Sequence, residues 1–484
     1  MGALESQDLA WPLGIALGVY VIITYALGLW VKERVNDAED FLVAGRRLSL
    51  PLAWATLLAT WFGAGTMLTA ADEVRHEGLR AAALEPLGSG LCLVLAGLFF
   101  ARRLWDMKLL TVSDFFRQRF GPRAELLSAL IMVPGYFGWI AVQFIALAGM
   151  LELGLGLDIR VGIALVAVIG MGYTLLGGMW AVTLTDALQL ALLLIGLLVL
   201  GGTVLLELGD GHILAGFAHL ADTVPAGHLV LVPTDRLSDF VGWLAVLSIA
   251  ALGNLPGQDL MQRVFASRSA LVAKRACILA GVTYILFGTI PVLLGLSAPV
   301  LFPGAADRAI VPALAQAFLS PPLAITFALA LASAVLSTID SAILSPSSVL
   351  AQNVFPRIPG VRGTALELNR YAVLIVTGLS LIVAYVGEDA YELLEGAYEL
   401  GLVGLFVPLA IGVYRLPRRE APGLAAMAVG TGLWLVHQVA GWDVFLEPFL
   451  GDLAVPVSVP AVALSVVAYL GLDRDIAVAP LTKS

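Results

Sequence analysis

The chain has 484 residues, of which 60% are hydrophobic and 13% are charged, and its formal net charge is −9. The composition excludes a soluble domain, which at this length would carry about twice that share of charged residues. Apolar runs long enough to cross about 30 Å of hydrocarbon recur along the chain. The sequence therefore predicts an all-α polytopic membrane protein. It shows neither a basic cluster for nucleic acid nor the GxxxxGK[ST] loop that holds ATP phosphates.

The first apolar run begins at Trp11 and could be mistaken for a signal peptide. A signal peptide has a basic segment before its apolar core. Here the acidic residues Glu5 and Asp8 precede the run, and the bases Lys32 and Arg34 follow it. The sequence therefore predicts a retained transmembrane helix whose N-terminus lies outside.

Thirteen transmembrane spans are predicted, and the basic residues give their orientation. The spans begin near Trp11, Leu50, Ala83, Ala124, Val161, Thr183, Phe240, Ala276, Leu323, Arg370, Tyr391, Gly423 and Asp452. With the N-terminus outside, 22 of the 27 Lys and Arg residues fall in cytoplasmic segments. The five in outer segments are Arg75, Arg80, Arg160, Arg236 and Arg308. Because cytoplasmic loops carry the excess of Lys and Arg, we expect a cytoplasmic C-terminus and a multi-pass protein of the plasma or inner membrane.

Two of the predicted spans are interrupted. The second contains "ATWFGAGTML" at 59–68, and the seventh contains "AALGNLPGQDLMQ" at 250–262. Glycine loosens a helix, and proline removes a hydrogen-bond donor and clashes with the preceding turn. The two breaks lie five spans apart, so the segments that hold them cross the membrane in opposite directions. Packing kinks are one explanation, and the other is the central site of a transporter built from inverted halves.

The span near Leu323 ends in "SAVLSTIDSAILSPSS" at 333–348, which has a polar stripe. Ser337, Thr338 and Ser341 share one helix face, with Asp340 at its edge. A single hydroxyl in a membrane helix usually bonds back to its own backbone. Several hydroxyls beside a carboxylate indicate a partner or water, because a bare carboxylate in hydrocarbon costs at least about 2.5–3.5 kcal/mol. No intramembrane Lys or Arg is evident nearby, and Arg263 is counted as cytoplasmic.

Hydroxyls and one carboxylate suit a monovalent cation that must replace its hydration shell. The half-helix that ends at Gly63 would add the carbonyls of Ala59 and Phe62 at its negative end. Together with the polar stripe they form an oxygen cage, and sodium is the predicted ion. A proton carried by Asp340 is the competing interpretation, but hydroxyls have no role in carrying a lone proton.

Three segments together resemble signature segments of the sodium/solute symporter family. They are "ATWFGAGTMLTA" at 59–70, "GGMWAVTLTDALQ" at 177–189 and "SAVLSTIDSAILSPSS" at 333–348. The resemblance implies a LeuT-like fold, a 5+5 inverted repeat with two broken helices, in a single transporter domain over 1–484. Its expected parts are an extra N-terminal helix and loop (11–48), the first repeat (49–238), the second repeat (239–421), and two C-terminal helices with a tail (422–484).

The resemblance also implies the ion-site residues. The family's common sodium site corresponds here to Ala59, Phe62, Ala334, Ser337 and Thr338. Asp186 is similar to a family aspartate near the cytoplasmic exit, although an N-cap near Thr185 is an alternative role for it. In some members that aspartate helps to hold a second sodium, for which the matching positions here are Asp340 and Ser341. Sodium is thus the expected coupling ion, and no organic cofactor is expected.

The solute is expected between the two breaks. The predicted substrate-binding residues are Trp61, Thr66, Trp139, Gln143, Asn254 and Gln258. "ATWFGAG" and "GLFFA" at 97–101 are most similar to the choline-carrier branch, and Trp61 and Trp139 match two aromatic positions of its cage. Ser89 and Gly257 stand where that branch has aromatic residues. The solute is therefore predicted only as small, polar and organic, and either tryptophan could instead face lipid or pack between helices.

These features predict a sodium-driven transporter and not an enzyme, with a small-molecule solute and the lipid bilayer as its partners. A proton-coupled solute carrier is the alternative within the same class. A transporter-like membrane sensor is an alternative from another class. Because the chain stops at Ser484, shortly after the last predicted span, no fused signalling domain is expected.

Overall fold

The computed structural model describes residues 3–31, 37–302, 309–387, 390–417, 419–451, 454–473 and 477–478. Nearly all of these residues are helical. The α-helices are Ala3–Val31, Ala38–Val43, Leu50–Trp61, Ala70–Glu77, Ser89–Leu95, Ala101–Asp106, Val112–Phe120, Pro122–Leu155, Ile159–Leu208, Ile213–Thr223, Leu237–Gly253, Gln258–Ala266, Ala270–Leu301, Ile310–Phe318, Pro321–Val349, Ala365–Val386, Ala390–Gly401, Val407–Tyr414, Ala421–Ala440, Glu447–Leu450 and Ser458–Leu472. One antiparallel pair of short strands joins Arg415–Leu416 to Ala477–Val478.

Shorter helical turns connect these helices. The π-helical turns are Gly65–Thr69, Leu84–Gly88, Ala96–Phe100, Leu350–Val354 and Leu402–Phe406. The 3₁₀ turns are Ala44–Arg46, Gly78–Ala83, Ala226–Leu229 and Phe355–Arg357. Several π-turns lie inside otherwise continuous spans, where they add a residue to the turn and shift the face that a helix presents.

The chain is a multi-pass membrane protein. Among the described residues, nine helices are long and apolar enough to cross a bilayer, and one bent pair of helices raises the number to ten. Three shorter apolar helices are Leu50–Trp61, Ile159–Gly172 and Ser458–Leu472. The predicted total of thirteen spans and the orientation of the termini stay predictions. Six bases used for that orientation lie outside the described residues, namely Lys32, Arg34, Arg308, Arg418, Arg474 and Lys483.

The first predicted break is present. The helix Leu50–Trp61 ends at Phe62, whose φ and ψ of −78° and 63° are not helical, and a π-helical turn restarts the chain at Gly65–Thr69. We call Leu50–Trp61 together with the restarted segment up to Glu77 the first broken helix. The close approach at Gly63 explains the glycine, because a Cβ there would lie 2.8 Å from Gln143 Oε1 and 2.9 Å from Thr338 Cγ2.

The second predicted break is also present. The helices Leu237–Gly253 and Gln258–Ala266 meet at a bend of 40°, and we call this pair the second broken helix. Pro256 lies in the loop between them, where it has no helical hydrogen bond to remove. The prediction of two interrupted spans from Gly and Pro is therefore confirmed.

The fifth and sixth predicted spans are joined in one helix of 50 residues, Ile159–Leu208. The helix is broken at Gly178, which has a φ of 55° and packs against Phe41. Since only glycine adopts this conformation without strain, the break lies about five residues before the predicted start at Thr183.

The polar stripe lies at the centre of the bundle. The helix Pro321–Val349, which we call the serine-rich helix, is buried from Ala330 to Val349. It packs against Ile159–Leu208 and the first broken helix. Apolar side chains such as Trp11, Ile22 and Leu214 are exposed on the outside, where lipid would cover them. The hydroxyl groups of the stripe therefore meet protein and not lipid.

A close contact between backbones fixes the second broken helix. A Cβ on Gly401 would lie 2.2 Å from the Gly253 carbonyl oxygen, and one on Gly253 would lie 2.2 Å from the Tyr398 carbonyl oxygen. The helix Ala390–Gly401 therefore crosses the break at a distance that only glycine permits at both positions.

We expect Gly401→Ala to lower the free energy of unfolding by about 1–3 kcal/mol, because the added methyl overpacks a backbone contact. Thermal melting of the purified protein measures the loss. Gly396→Ala on the same helix is the control, since a Cβ there meets no atom within 4 Å. Equal melting temperatures for the two variants would contradict the contact.

Candidate functional site

The serine-rich helix meets the first broken helix at Thr338. Its Oγ1 lies 3.4 Å from the Ala59 carbonyl oxygen, 3.4 Å from the Thr60 carbonyl oxygen and 3.2 Å from the Ala334 carbonyl oxygen. Four oxygen atoms thus converge where the first half-helix ends, and the negative end of that half-helix favours a cation there. Phe62, whose carbonyl was also expected in this group, is the residue at which the half-helix ends.

Ser337 points to a neighbouring group. Its hydroxyl donates a short hydrogen bond to Asp186 Oδ1, and the Thr56 hydroxyl donates to Asp186 Oδ2. Asp186 lies inside the helix Ile159–Leu208 and is fully buried, so it is not an N-cap. The structure therefore brings Ser337 and Asp186 together. Because Ser337 directly precedes Thr338 on the serine-rich helix, this pair lies next to the oxygen atoms around Thr338.

The three residues expected at a second ion are divided between two places. Ser341 lies on the side of Asp186, where its Oγ accepts a hydrogen bond from the guanidinium of Arg263. Asp340 instead borders a small cavity beside Tyr20 and Tyr25 of the N-terminal helix. Adjacent residues on a helix point about 100° apart, so these two side chains leave the serine-rich helix in different directions.

Arg263 corrects the expectation that no base lies near the polar stripe. Its side chain is 1% exposed, and it belongs to the second half of the second broken helix. Its Nε donates to the Thr56 carbonyl at 3.2 Å, its Nη1 to the Asp259 carbonyl at 2.9 Å and its Nη2 to Ser341 Oγ at 2.5 Å. Thr56 connects the two charges, because its hydroxyl binds Asp186 while its carbonyl binds Arg263.

A central cavity lies between the two breaks. It holds about 610 Å³ of empty space when the solvent at its open side is included. Two tryptophans, two tyrosines and one carboxylate border it together with the loop of the second break. These lining residues include Trp61, Tyr136, Trp139, Asn254, Asp259 and Tyr398.

The other three expected substrate residues do not line this cavity. Gln143 Oε1 accepts a hydrogen bond from the Ala64 N–H at 2.8 Å and so holds the first break. Thr66 lies in the turn Gly65–Thr69, which follows that break in the chain. Gln258 turns toward the loop before Val112, where its Oε1 accepts the Val112 N–H at 2.7 Å. The cavity wall therefore contains neither Thr66 nor Gln258, and Gln143 lies behind the residues that form this wall.

A buried acid, Glu85, lies behind the cavity and was missed in the sequence. Its side chain is 3% exposed and has four hydroxyl neighbours. Oε1 accepts hydrogen bonds from Ser89 Oγ at 2.8 Å and from the Tyr398 hydroxyl at 3.1 Å. Oε2 accepts a short hydrogen bond from the Tyr284 hydroxyl and a longer one, 3.3 Å, from Thr66 Oγ1.

The sequence did hold a signal for Glu85. The acid stands within the apolar run "AAALEPLGSGLCLVLAGLFFA" at 81–101. An ionisable residue inside a span indicates a functional site unless a partner neutralises it. Its tyrosine partners are 199 and 313 residues away along the chain, so the sequence could flag the acid but could not supply its surroundings.

The chain is similar to known transporters in sequence and in fold. Residues 41–418 match the model of the sodium:solute symporter family. The sequence is 27% identical over 469 residues to the high-affinity choline transporter 1 of Caenorhabditis elegans, which covers 87% of this chain and 77% of that protein. It is 30% identical over 367 residues to the human high affinity choline transporter 1, which covers 70% of this chain and 61% of the human protein.

A solved structure agrees over almost the whole chain. It is the substrate-bound, outward-open state of a Na⁺-coupled sialic acid symporter, with a TM-score of 0.76 at 18% identity, and the match covers 97% of this chain and 99% of that one. At this identity the match establishes the fold and not the solute. The expected LeuT-like fold is confirmed, and the count of thirteen helices within it stays a prediction.

Proposed function

The chain belongs to the sodium:solute symporter family, and we propose that it imports a small polar organic solute together with sodium by alternating access. Family membership supports a sodium-coupled transporter. The observation that carries the finer proposal is the convergence of oxygen atoms at Thr338, whose Oγ1 lies 3.4 Å from the Ala59 carbonyl oxygen at the first break.

The proposed sodium ligands are the carbonyl oxygens of Ala59, Phe62 and Ala334 and the hydroxyls of Ser337 and Thr338. Sodium at this place would tie the serine-rich helix to the first broken helix. Since the cavity borders the same break at Trp61, holding that break in one arrangement would also hold one cavity wall. Ion binding would thus favour the state that accepts the solute, which is the coupling that symport requires.

The proposal includes one sodium ion. A second ion at Asp186, Asp340 and Ser341 is left out, because the Arg263 guanidinium already occupies the Ser341 hydroxyl and Asp340 faces the N-terminal helix. Asp186 is instead proposed as the carboxylate that sodium passes on its way to the cytoplasm. The hydrogen bond that Ser337 donates to Asp186 supplies the link between the two places.

The driving force of one sodium ion is sufficient for uptake. At about 100 mV the membrane potential contributes roughly 2.3 kcal/mol per charge. A tenfold sodium gradient adds about 1.4 kcal/mol. Together these terms would sustain roughly 500-fold accumulation of a neutral solute.

We also propose how many times the chain crosses the membrane and on which side each terminus lies. We propose thirteen spans, with the N-terminus outside and the C-terminus in the cytoplasm. The two inverted repeats would cover residues 49–238 and 239–421, each with one broken helix near its start. The two breaks then face each other across the cavity, where Trp61 and Asn254 both line the wall.

We expect Thr338→Ala to weaken the apparent sodium affinity by roughly tenfold, because it removes one neutral oxygen ligand. Sodium-dependent uptake into proteoliposomes, or the rise in Tm with sodium concentration, measures the effect. Thr326→Ala on the same helix is the matched control, since its exposed hydroxyl only bonds back to the Pro322 carbonyl.

Two outcomes would contradict the proposal. Unchanged sodium dependence in Thr338→Ala would place the ion elsewhere. Uptake that persists when potassium replaces sodium at fixed pH, and that follows the pH gradient, would instead favour the proton-coupled carrier.

A further inference from the structure

The cavity wall carries a carboxylate, that of Asp259, which forms no ion pair within 4 Å among the described residues. Asp259 lies in the first turn of Gln258–Ala266, where the positive end of the half-helix favours a negative charge. Its Oδ1 accepts a hydrogen bond from the Tyr136 hydroxyl at 2.6 Å. Arg263 binds the main-chain carbonyl of Asp259 at 2.9 Å, and none of the ion pairs among the described residues involves the Asp259 carboxylate.

A second carboxylate, that of Glu85, is linked to the cavity by a tyrosine hydroxyl group. Tyr398 lines the cavity, and its hydroxyl donates to Glu85 Oε1 at 3.1 Å. The partners of Glu85 among the described residues are all hydroxyl groups, so its negative charge is also not cancelled by a base. Asp259 and Glu85 thus each accept a hydrogen bond from a tyrosine that lines the same cavity.

The formal charges near the breaks leave a place for one more cation. Glu85, Asp186, Asp259 and Asp340 are buried there, and Arg263 is the one buried Lys or Arg among the described residues. With the proposed sodium bound, four carboxylates face two positive charges. A buried unpaired charge is costly, so a solute that brings a positive charge to the cavity would offset part of this excess.

We propose that the solute is a protonated primary or secondary amine, whose N–H groups donate to Asp259 while Trp61 and Trp139 cover its apolar part. A carboxylate forms strong charge-assisted hydrogen bonds with an N–H donor. A quaternary ammonium has no N–H to donate and is recognised by aromatic faces instead. Glu85 is a positioning residue, because it acts on the cavity through the hydroxyl of Tyr398. This inference rests on the proposed function, since it identifies the class of solute for the same cavity.

The test compares solutes that differ only at the nitrogen. Purified protein is melted in sodium and in potassium with two matched sets: ethanolamine, choline and ethylene glycol, and phenylethylamine, phenylethyltrimethylammonium and phenylethanol. We expect at least one amine to raise the Tm in sodium only, through binding of the native state. Its trimethylammonium and alcohol partners should bind at least about tenfold more weakly.

Two variants connect this preference to the carboxylates. In Asp259→Asn the amine should lose its advantage over the trimethylammonium partner, and in Glu85→Gln the advantage should shrink by a smaller factor. The ratio of the two affinities is the readout, because a merely structural defect would weaken both ligands alike. If either variant fails to fold, the matched sets on the unmodified protein decide the question.

The outcomes separate this inference from the proposed function. Stabilisation by a trimethylammonium or alcohol partner equal to that by its amine would overturn the inference and leave sodium coupling intact. The same holds if a solute without an amine binds in a sodium-dependent way while no amine of the two sets does. Binding and uptake that do not depend on sodium for any solute would instead overturn the proposed function.

Discussion

Arg263→Met is expected to abolish transport and to lower the free energy of unfolding by about 3–5 kcal/mol, because it removes the buried positive charge that stabilises the nearby carboxylates of Asp186 and Asp259. The guanidinium is 1% exposed and makes three hydrogen bonds, to Thr56, Asp259 and Ser341. Methionine keeps much of the volume and removes all of these donors. The hydroxyls of Thr56 and Ser337 would then be the remaining partners of Asp186 that the structure shows.

A double mutant tests whether charge is the cause. Arg263→Met combined with Asp186→Asn removes both charges, so part of the lost stability should return while transport stays absent. The interaction energy of the cycle should be about 1–3 kcal/mol. Arg268→Met, at an exposed position a few residues on, is the control and should melt like the unmodified protein. If Arg263→Met melts at that temperature too, the guanidinium is not holding a buried charge.

The breaks and the proposed ion site could be predicted from the sequence because both depend on local chemistry. Glycine loosens a helix and proline removes a hydrogen-bond donor, so the clusters of these residues around Gly63 and Pro256 indicated the breaks without tertiary information. The stripe containing Thr338 was visible because residues three and four apart share a helix face. The fold brings Thr338 Oγ1 of this stripe to 3.4 Å from the Ala59 carbonyl oxygen.

Helix rotation explains why Asp259, and not Gln258, lines the cavity. Gln258 and Asp259 are neighbours, and a rotation of about 100° exchanges the one that faces the cavity. The sequence favoured Gln258, whereas Asp259 lines the cavity and Gln258 binds the backbone at Leu110 and Val112. Nothing within a short loop such as that at Pro256 fixes this rotation, because packing against distant helices sets it.

Distant contacts explain the residues that the sequence missed. A base near the end of a span is normally cytoplasmic, so Arg263 was assigned there, yet Ser341 and Thr56 satisfy its donors inside the bundle. Glu85 was visible as an acid in an apolar run, but its tyrosine partners come from two other helices. In both cases the buried charge is tolerated because of groups that only the fold brings together.

Gly63→Ala is expected to reduce the apparent sodium affinity by roughly 30- to 100-fold, which corresponds to about 2–3 kcal/mol of overpacking at the site. The new Cβ would lie 2.8 Å from Gln143 Oε1 and 2.9 Å from Thr338 Cγ2. The Gln143 amide ends a flexible side chain and can shift, whereas Thr338 Cγ2 is fixed by its helix. The methyl group would therefore push the serine-rich helix away from the Ala59 carbonyl, and sodium titrations of Tm and of uptake would measure the loss.

A compensating change makes the cause specific. Thr338→Ser deletes Cγ2 but keeps the hydroxyl oxygen, so Gly63→Ala with Thr338→Ser should recover much of the sodium affinity that Gly63→Ala alone loses. Gly149→Ala is the control, because a Cβ there meets no atom within 4 Å. Recovery by Thr338→Ser and not by Thr338→Ala would show that the ion needs both the space at Gly63 and the oxygen at position 338. Equal affinities for the single and the double variant would mean that the clash with Thr338 does not govern the ion, and the proposed cage would have to be moved away from this break.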